Sequence, residues 1–400
     1  MEFVNFYQMR GDGASTLTIN YQQTSEWLRP CNAMRKHSFV PKLDGLTMVK
    51  TIENSRIAWV DYAKGICIIL VVMMHSTLGV EKATGALTWL HPFIDWARPF
   101  RMPDFFMISG LFLASRIHTP WRQYIDSKVL HFAYFYILWM TIQTFIRDFG
   151  LLRAEGIVPF LNSYLTGFYE PYGTLWFIYL LAVFFVLTKL VQPIRPVYIF
   201  MAAACLEIAP IATGFTVIDE FASRYVYFFA GFWMARIILD YAASLNTRSI
   251  PVIFSALIVW GFFNYWMVAS GLSTLPVVSL ALGFVGAAAV VSTGVLLSKT
   301  NFAEALRYCG ANSIVIYLSF SLFMATTRTV LLKFAPHLDE GLVALCATSA
   351  GVIGPIMLFW LTRYTQLSFL FVRPDWAKLE KPVQQWHSVS YVKQLKPKTR

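Results

Sequence analysis

Residues 57–80 read IAWVDYAKGICIILVVMMHSTLGV. From Ile66 to Met74 no charge interrupts the run, and the segment exceeds the roughly 20 mostly apolar residues a helix needs to cross a bilayer. It reads as a transmembrane helix. The same criterion, applied outward between charged and Pro/Gly breaks, marks nine further candidates: 96–116, 128–147, 174–191, 196–214, 221–240, 250–270, 275–298, 312–333 and 341–362. The second begins earlier if Trp89 to Trp96 forms an interfacial helix. The seventh and eighth, linked near Ser270 to Leu275, form a hairpin. The expected fold is an all-α polytopic membrane protein with about ten transmembrane helices.

Composition agrees. Of 400 residues, 57% are hydrophobic and 14% charged, with mean hydropathy +0.54. A soluble domain carries about 25% charged residues, so these apolar runs cannot all sit in one soluble core. A net charge of +11 would suggest nucleic acid in a soluble protein. Here the enrichment of Lys and Arg in cytosolic segments accounts for it, so the expected partner is the bilayer and not nucleic acid. The five cysteines are scattered singly, with no zinc or disulfide spacing, and no metal is expected.

Residues 1–55 form a polar tail without an apolar h-region, hence no cleavable signal peptide. Two readings stand for residues 1–47: a short disordered cytosolic tail, or an extension preceding a true start at Met48. Residues 56–363 form the transmembrane domain, and 364–400 a basic tail. With the N-terminus placed inside, cytosolic segments hold 24 Lys and Arg residues and outer segments eight. Both termini then face the cytosol, which an even number of spans requires.

Charge inside lipid costs several kcal/mol unless it meets a cavity or partner, so intramembrane charges are functional candidates. Lys64 and His75, eleven residues apart, lie on one helix face about 16 Å apart along the axis. Asp61 precedes Lys64 by three residues and can pair with it. Lys64 alone could snorkel to the interface; His75, deep in the span, favours function, with a plain interhelical hydrogen bond as the bland alternative. The second span opens with Arg98 and Arg101, on one face if helical, entering from the side where the His75 helix leaves. An interfacial arginine pair on lipid headgroups is the alternative. Pro103 marks a kink or helix start. Glu207 is a weaker candidate, as site carboxylate or arginine partner. Arg224 stands beside Asp219 and Glu220, where a simple salt bridge is the default.

The spacing of Lys64 and His75, followed by Arg98-x-x-Arg101 and Met102-Pro-x-Phe-Phe-x-x-Ser-Gly110, resembles the acyltransferase-3 family of membrane acyltransferases. Trp59-Val-Asp61-Tyr-Ala-Lys64-Gly65 looks most like its fucose 4-O-acetylase-like branch, and Leu175-Trp-Phe177 and Tyr227-Phe-Phe-Ala-Gly231 also fit. The resemblance covers about residues 55–362. It implies about ten helices in a bacterial inner membrane. It also implies acetyl-CoA or another acyl-CoA as cytosolic donor, and a surface glycan or lipid-linked saccharide as acceptor. The family's basic residue and histidine carry over to Lys64 and His75, its arginine pair to Arg98 and Arg101. One position departs: many members follow Ile-Tyr-Leu-x with His, whereas Ile316-Tyr-Leu-Ser319 is followed here by Phe320.

These residues suit acyl transfer. A histidine can take the proton of a sugar hydroxyl as it attacks the thioester. Arg98 or Arg101 can stabilise the oxyanion, and Lys64 can hold coenzyme A near the cytosol. The rival class is a transporter using the same charges as an ion or substrate path. Transporters often show two matching halves; here the charges crowd the first third, which favours an enzyme.

Overall fold

The computed structural model describes residues 45–300 and 302–379, with the backbone alone described at 45–57 and 151. The expected tails lie largely outside them, as do residues 1–44 of the proposed N-terminal extension. The described residues are helical, with no strand. In chain order the helices are α1 (Gly45–Thr84), α2 (His91–Leu113), α3 (Trp121–Tyr124), α4 (His131–Arg147), α5 (Phe149–Glu155), α6 (Ile157–Thr166), α7 (Trp176–Leu190) and α8 (Pro196–Ile208). There follow α9 (Thr216–Trp233), α10 (Ala235–Thr247), α11 (Ile250–Ala269), α12 (Pro276–Thr300), α13 (Glu304–Ala311), α14 (Ser313–Phe334) and α15 (Glu340–Thr362). A π-helical turn, Ile125–Leu130, joins α3 to α4.

Seven helices are long and apolar enough to cross a membrane, and eight if the bent pair α9–α10 is one span. The expected count of ten is therefore reached only by adding two helices that fall short. α2, though 23 residues long, carries Asp95, Arg98, Arg101 and Asp104. α8 has only 13 residues. The expected span 221–240 bends by 72° at Met234. α2 begins at His91 and continues through Pro99 and Pro103. The α11–α12 hairpin forms where expected: Gly271, at φ +73°, closes α11 in the left-handed conformation that spares glycine a Cβ clash, and Pro276 starts α12.

The chain divides into two compact units. In the first, described residues 45–114 together with 194–361, α1 is the axis, packed by α2, α12, α13 and α14. Trp59, Ala63, Cys67, Phe100, Met107 and Val291 belong to its core. Lipid tails are as apolar as leucine, so close van der Waals approach at small residues must hold such helices together. Two reciprocal pairs do this. A Cβ on Gly110 would strike the Phe228 carbonyl and one on Gly231 the Met107 carbonyl, so α2 and α9 touch backbone to backbone. Gly65 and Gly310 do the same for α1 and α13, against Leu306 and Asp61.

The second unit comprises described residues 115–193 and 362–379. The residues after α15 fold onto α4 and the π-turn. Buried Arg373 donates to the Asp126 carbonyl (2.7 Å) and to its Oδ2 (2.8 Å), and the Trp139 indole donates to the Leu370 carbonyl (2.9 Å).

Candidate functional site

α1 continues unbroken through the Lys64–His75 stripe, as the apolar run requires. Lys64 is buried, 5% exposed, and its Nζ lies 2.8 Å from Asp61 Oδ1, the i,i+3 pair the spacing predicts. Neutralisation within one turn of the same helix allows a lysine to remain buried there. The Phe112 ring of α2 lies beside it, 6.0 Å from Nζ. Three turns further on, His75 is half-buried, its ring tilted against Phe320 of α14 with centroids 5.5 Å apart. Phe320 is the residue that replaces the histidine of the resembling family, so that position packs on the candidate base.

The arginines of α2 part company. Arg101 points inward, 7% exposed, and its Nη1 donates to the Ile94 carbonyl at 3.3 Å. It lies within electrostatic reach of His75 and of Arg224. Arg98 is 53% exposed at its side chain, with Asp95 Oδ1 3.8 Å away. Residues three apart on a helix differ by about 60° in direction. That is enough, at the edge of a packed face, to bury one and expose the other.

One turn past Arg101, Asp104 is fully buried. Its Oδ2 accepts a hydrogen bond from Cys67 Sγ at 2.7 Å, across the α1–α2 contact, while its Oδ1 has no hydrogen-bond partner among the described residues. Asp104 stands in the stretch that carries the arginine motif but was not among the sequence-based candidates. A carboxylate between Pro103 and Phe105 in an apolar run is itself the signal that could have found it.

A second polar cluster is built from α8, α9 and α12. Glu207 Oε1 accepts from Tyr227 Oη (3.4 Å) and Ser279 Oγ (3.2 Å); its buried Oε2 has no hydrogen-bond partner among the described residues. Arg224, one turn before Tyr227, donates from Nε to Glu220 Oε2 at 3.0 Å, the default salt bridge. It is also in electrostatic reach of both Glu207 and Arg101. Asp219 takes another part, accepting from the backbone N–H groups of Thr213 (2.7 Å) and Gly214 (3.0 Å) at the entry to α9. Nothing in the local spacing revealed Tyr227 or Ser279 as neighbours of Glu207; the three come from distant parts of the chain.

The geometry thus gathers Asp61, Lys64, His75, Arg101, Glu207 and Arg224 within the first unit and leaves Arg98 at its edge. Comparison with known proteins agrees on the chemistry. A family model described as an acyltransferase domain matches residues 57–360. The nodulation protein NolL of Sinorhizobium fredii is 24% identical over 285 residues, covering 66% of this chain and 77% of that protein. The inner membrane protein YcfT of Escherichia coli is 22% identical over 214 residues, 48% of this chain and 59% of that protein. A second NolL, from Mesorhizobium japonicum, is 25% identical over 188 residues, 46% of this chain and 49% of that protein. For these last two the matched part is only about half of the relative's length. No solved structure matches.

Proposed function

The chain belongs to the acyltransferase-3 family and is a membrane O-acyltransferase, and from that premise we propose that it moves an acyl group, acetyl in the first instance, from acyl-CoA on the cytosolic side to a hydroxyl of a surface glycan or its lipid-linked precursor. The observation that carries this reading is the unbroken α1 helix, on which the Lys64–Asp61 pair and His75 stand three turns apart, with Arg101 of α2 within electrostatic reach of His75. The Lys64 end faces the cytosol in this reading, as the distribution of Lys and Arg favours.

Lys64 attracts the phosphates of coenzyme A, sharing its charge with Asp61 until the donor arrives. His75 takes the proton of the acceptor hydroxyl as the oxygen attacks the thioester carbonyl. Negative charge grows on the carbonyl oxygen, and Arg101, buried where water cannot screen it, stabilises that charge. Collapse of the tetrahedral intermediate breaks the C–S bond, and the proton held on His75 passes to the thiolate. The products are the ester and free coenzyme A, and no net proton is consumed. Glu207, with one oxygen uncommitted, suits a second hydroxyl of the acceptor. Arg98, exposed and paired, guards the margin of the site.

The test is transfer from radiolabelled acetyl-CoA in membranes of a host that contains the native glycan. Wild-type membranes should label a glycan fraction and His75→Ala membranes should not, with equal amounts of folded protein. Equal labelling in both would remove His75 from the mechanism.

A further inference from the structure

Arg328 lies on α14, half-buried, within a span. Its guanidinium rests on Gly79 of α1 so closely that a Cβ there would collide with Nη1. Gly79 is one turn beyond His75. On the opposing helix, Met324 and Phe320 are one and two steps of four before Arg328, all on one face. Phe320 stacks against His75 and Met324 is buried. The face of α14 therefore runs along α1 from the candidate base to the arginine, and the absent side chain at position 79 makes the notch that receives it. The rise from His75 to Gly79 is about 6 Å.

Arg328 has no ion pair and no hydrogen bond among the described residues. The acid closest to Gly79 along α1, Glu81, is already committed: Thr88 donates to its Oε1 from N and Oγ1 (3.0 Å each), and the His91 ring lies 2.9 Å from Oε2. A snorkelling arginine would extend away from the neighbouring helix toward water. This one rests on Gly79 of α1, one turn from His75, and among the described residues no acceptor takes its guanidinium donors.

We propose that Arg328, seated over Gly79, is an anion subsite for the acceptor, reading a phosphate or carboxylate borne by the saccharide next to the hydroxyl presented to His75. This rests on the acyl-transfer reading above for the identity of the bound molecule, and on the Arg328–Gly79 geometry for its charge. Guanidinium matches either anion with two parallel hydrogen bonds. An acceptor held there is drawn to the half of α1 that carries His75 and away from the Lys64 end. A neutral saccharide would leave the arginine unsatisfied.

The experiment uses the full chain, purified in detergent with added phospholipid, as wild type, Arg328→Gln and Arg328→Lys. Thermal unfolding is followed with glucose 1-phosphate, methyl glucuronoside and methyl glucoside as probes, and acetyl transfer to the native glycan is followed with each probe as competitor. An anionic probe should raise Tm and compete about 10- to 100-fold better than the neutral one, the worth of charged hydrogen bonds. Arg328→Gln should lose that difference and raise the acceptor KM by a similar factor with the acetyl-CoA KM unchanged; Arg328→Lys should lie between. Whether the phosphate or the uronate works better identifies the source of the anion. Equal response to charged and neutral probes in wild type, or an Arg328→Gln acceptor KM equal to wild type, overturns the subsite. Probe-dependent stabilisation lost in Arg328→Gln, with no acyl transfer by wild type from any acyl-CoA, overturns the transferase reading and leaves the anion site standing.

Discussion

The Cys67 thiol donates a hydrogen bond of 2.7 Å to the carboxylate of Asp104, joining α1 to α2 at a point where neither side chain touches water. Cys67 lies one turn from Lys64 and Asp104 one turn from Arg101, so this bond sets the register between the helix of the candidate base and the helix of the buried arginine. Removing one partner alone should be worse than removing both. Cys67→Val strands a buried acceptor and should cost about 1–3 kcal/mol, and Asp104→Leu relieves it. The double variant should unfold later than Cys67→Val alone in a thermal scan. Strictly additive losses would mean that the bond does not couple the helices.

Gly110 and Gly231 should tolerate nothing larger. A methyl at either would push into a backbone carbonyl of the facing helix, and carbonyls cannot rotate aside. Gly110→Ala and Gly231→Ala should each destabilise by about 1–3 kcal/mol, read as a drop in the monodisperse fraction after heating. Gly261, with open space around its Cβ position, is the control and should accept alanine without loss. A Gly110→Ala protein as robust as Gly261→Ala would refute the backbone-to-backbone contact of α2 and α9.

The two arginines of α2 should separate kinetically. Arg101→Gln removes a buried charge within electrostatic reach of His75 and should lower kcat by about 10²–10³-fold, as loss of an oxyanion donor does. Arg98→Gln removes an exposed ion pair, worth ~1 kcal/mol or less. Equal losses in both would place Arg98 on the reacting groups as well.

Glu207→Gln keeps the volume and one acceptor oxygen but not the charge. If Glu207 holds an acceptor hydroxyl, the variant should raise the acceptor KM about tenfold, the value of a charged hydrogen bond over a neutral one, with the acetyl-CoA KM unaltered. A change in the acetyl-CoA KM instead would assign the cluster to the donor.

Outside the spans, the Trp89 indole donates to Asp339 Oδ1 at 2.8 Å and the Leu342 N–H donates to the same oxygen at 3.0 Å, tying the α1–α2 loop to the start of α15. The Trp89 bond, then the backbone donors, hold this carboxyl below the usual carboxylate range. Because the folded value is depressed, the contribution is complete above the unfolded value near ~3.9 and is lost as pH falls through the folded one. Hydrogen-exchange protection of residues 85–90, corrected for the intrinsic exchange rate at each pH, should therefore fall only in acid for wild type, and already at neutral pH for Asp339→Ala. A pH-independent protection factor in wild type would show that the latch does not hold the loop.

What the chain determined without its tertiary structure was the class of fold and, through its motifs, the acyltransferase family. Apolar runs of membrane length declare helices because lipid offers the backbone no other hydrogen-bond partner. A lysine, a histidine and two arginines mark themselves as candidates for a site because charge in lipid is expensive. The spacing of Asp61, Lys64 and His75 also determined their shared face, since one rigid helix carries all three. The tertiary structure decided everything that depends on two helices at once. It split Arg98 from Arg101, because burial depends on what the facing helix offers and not on i,i+3 spacing. It paired Cys67 with Asp104, gathered Tyr227 and Ser279 onto Glu207, broke the expected span at Met234, and set Arg328 over Gly79. These are contacts between residues far apart in sequence, and their formation depends on which small residues let the backbones approach. Periodicity along a single helix carries no information about that choice.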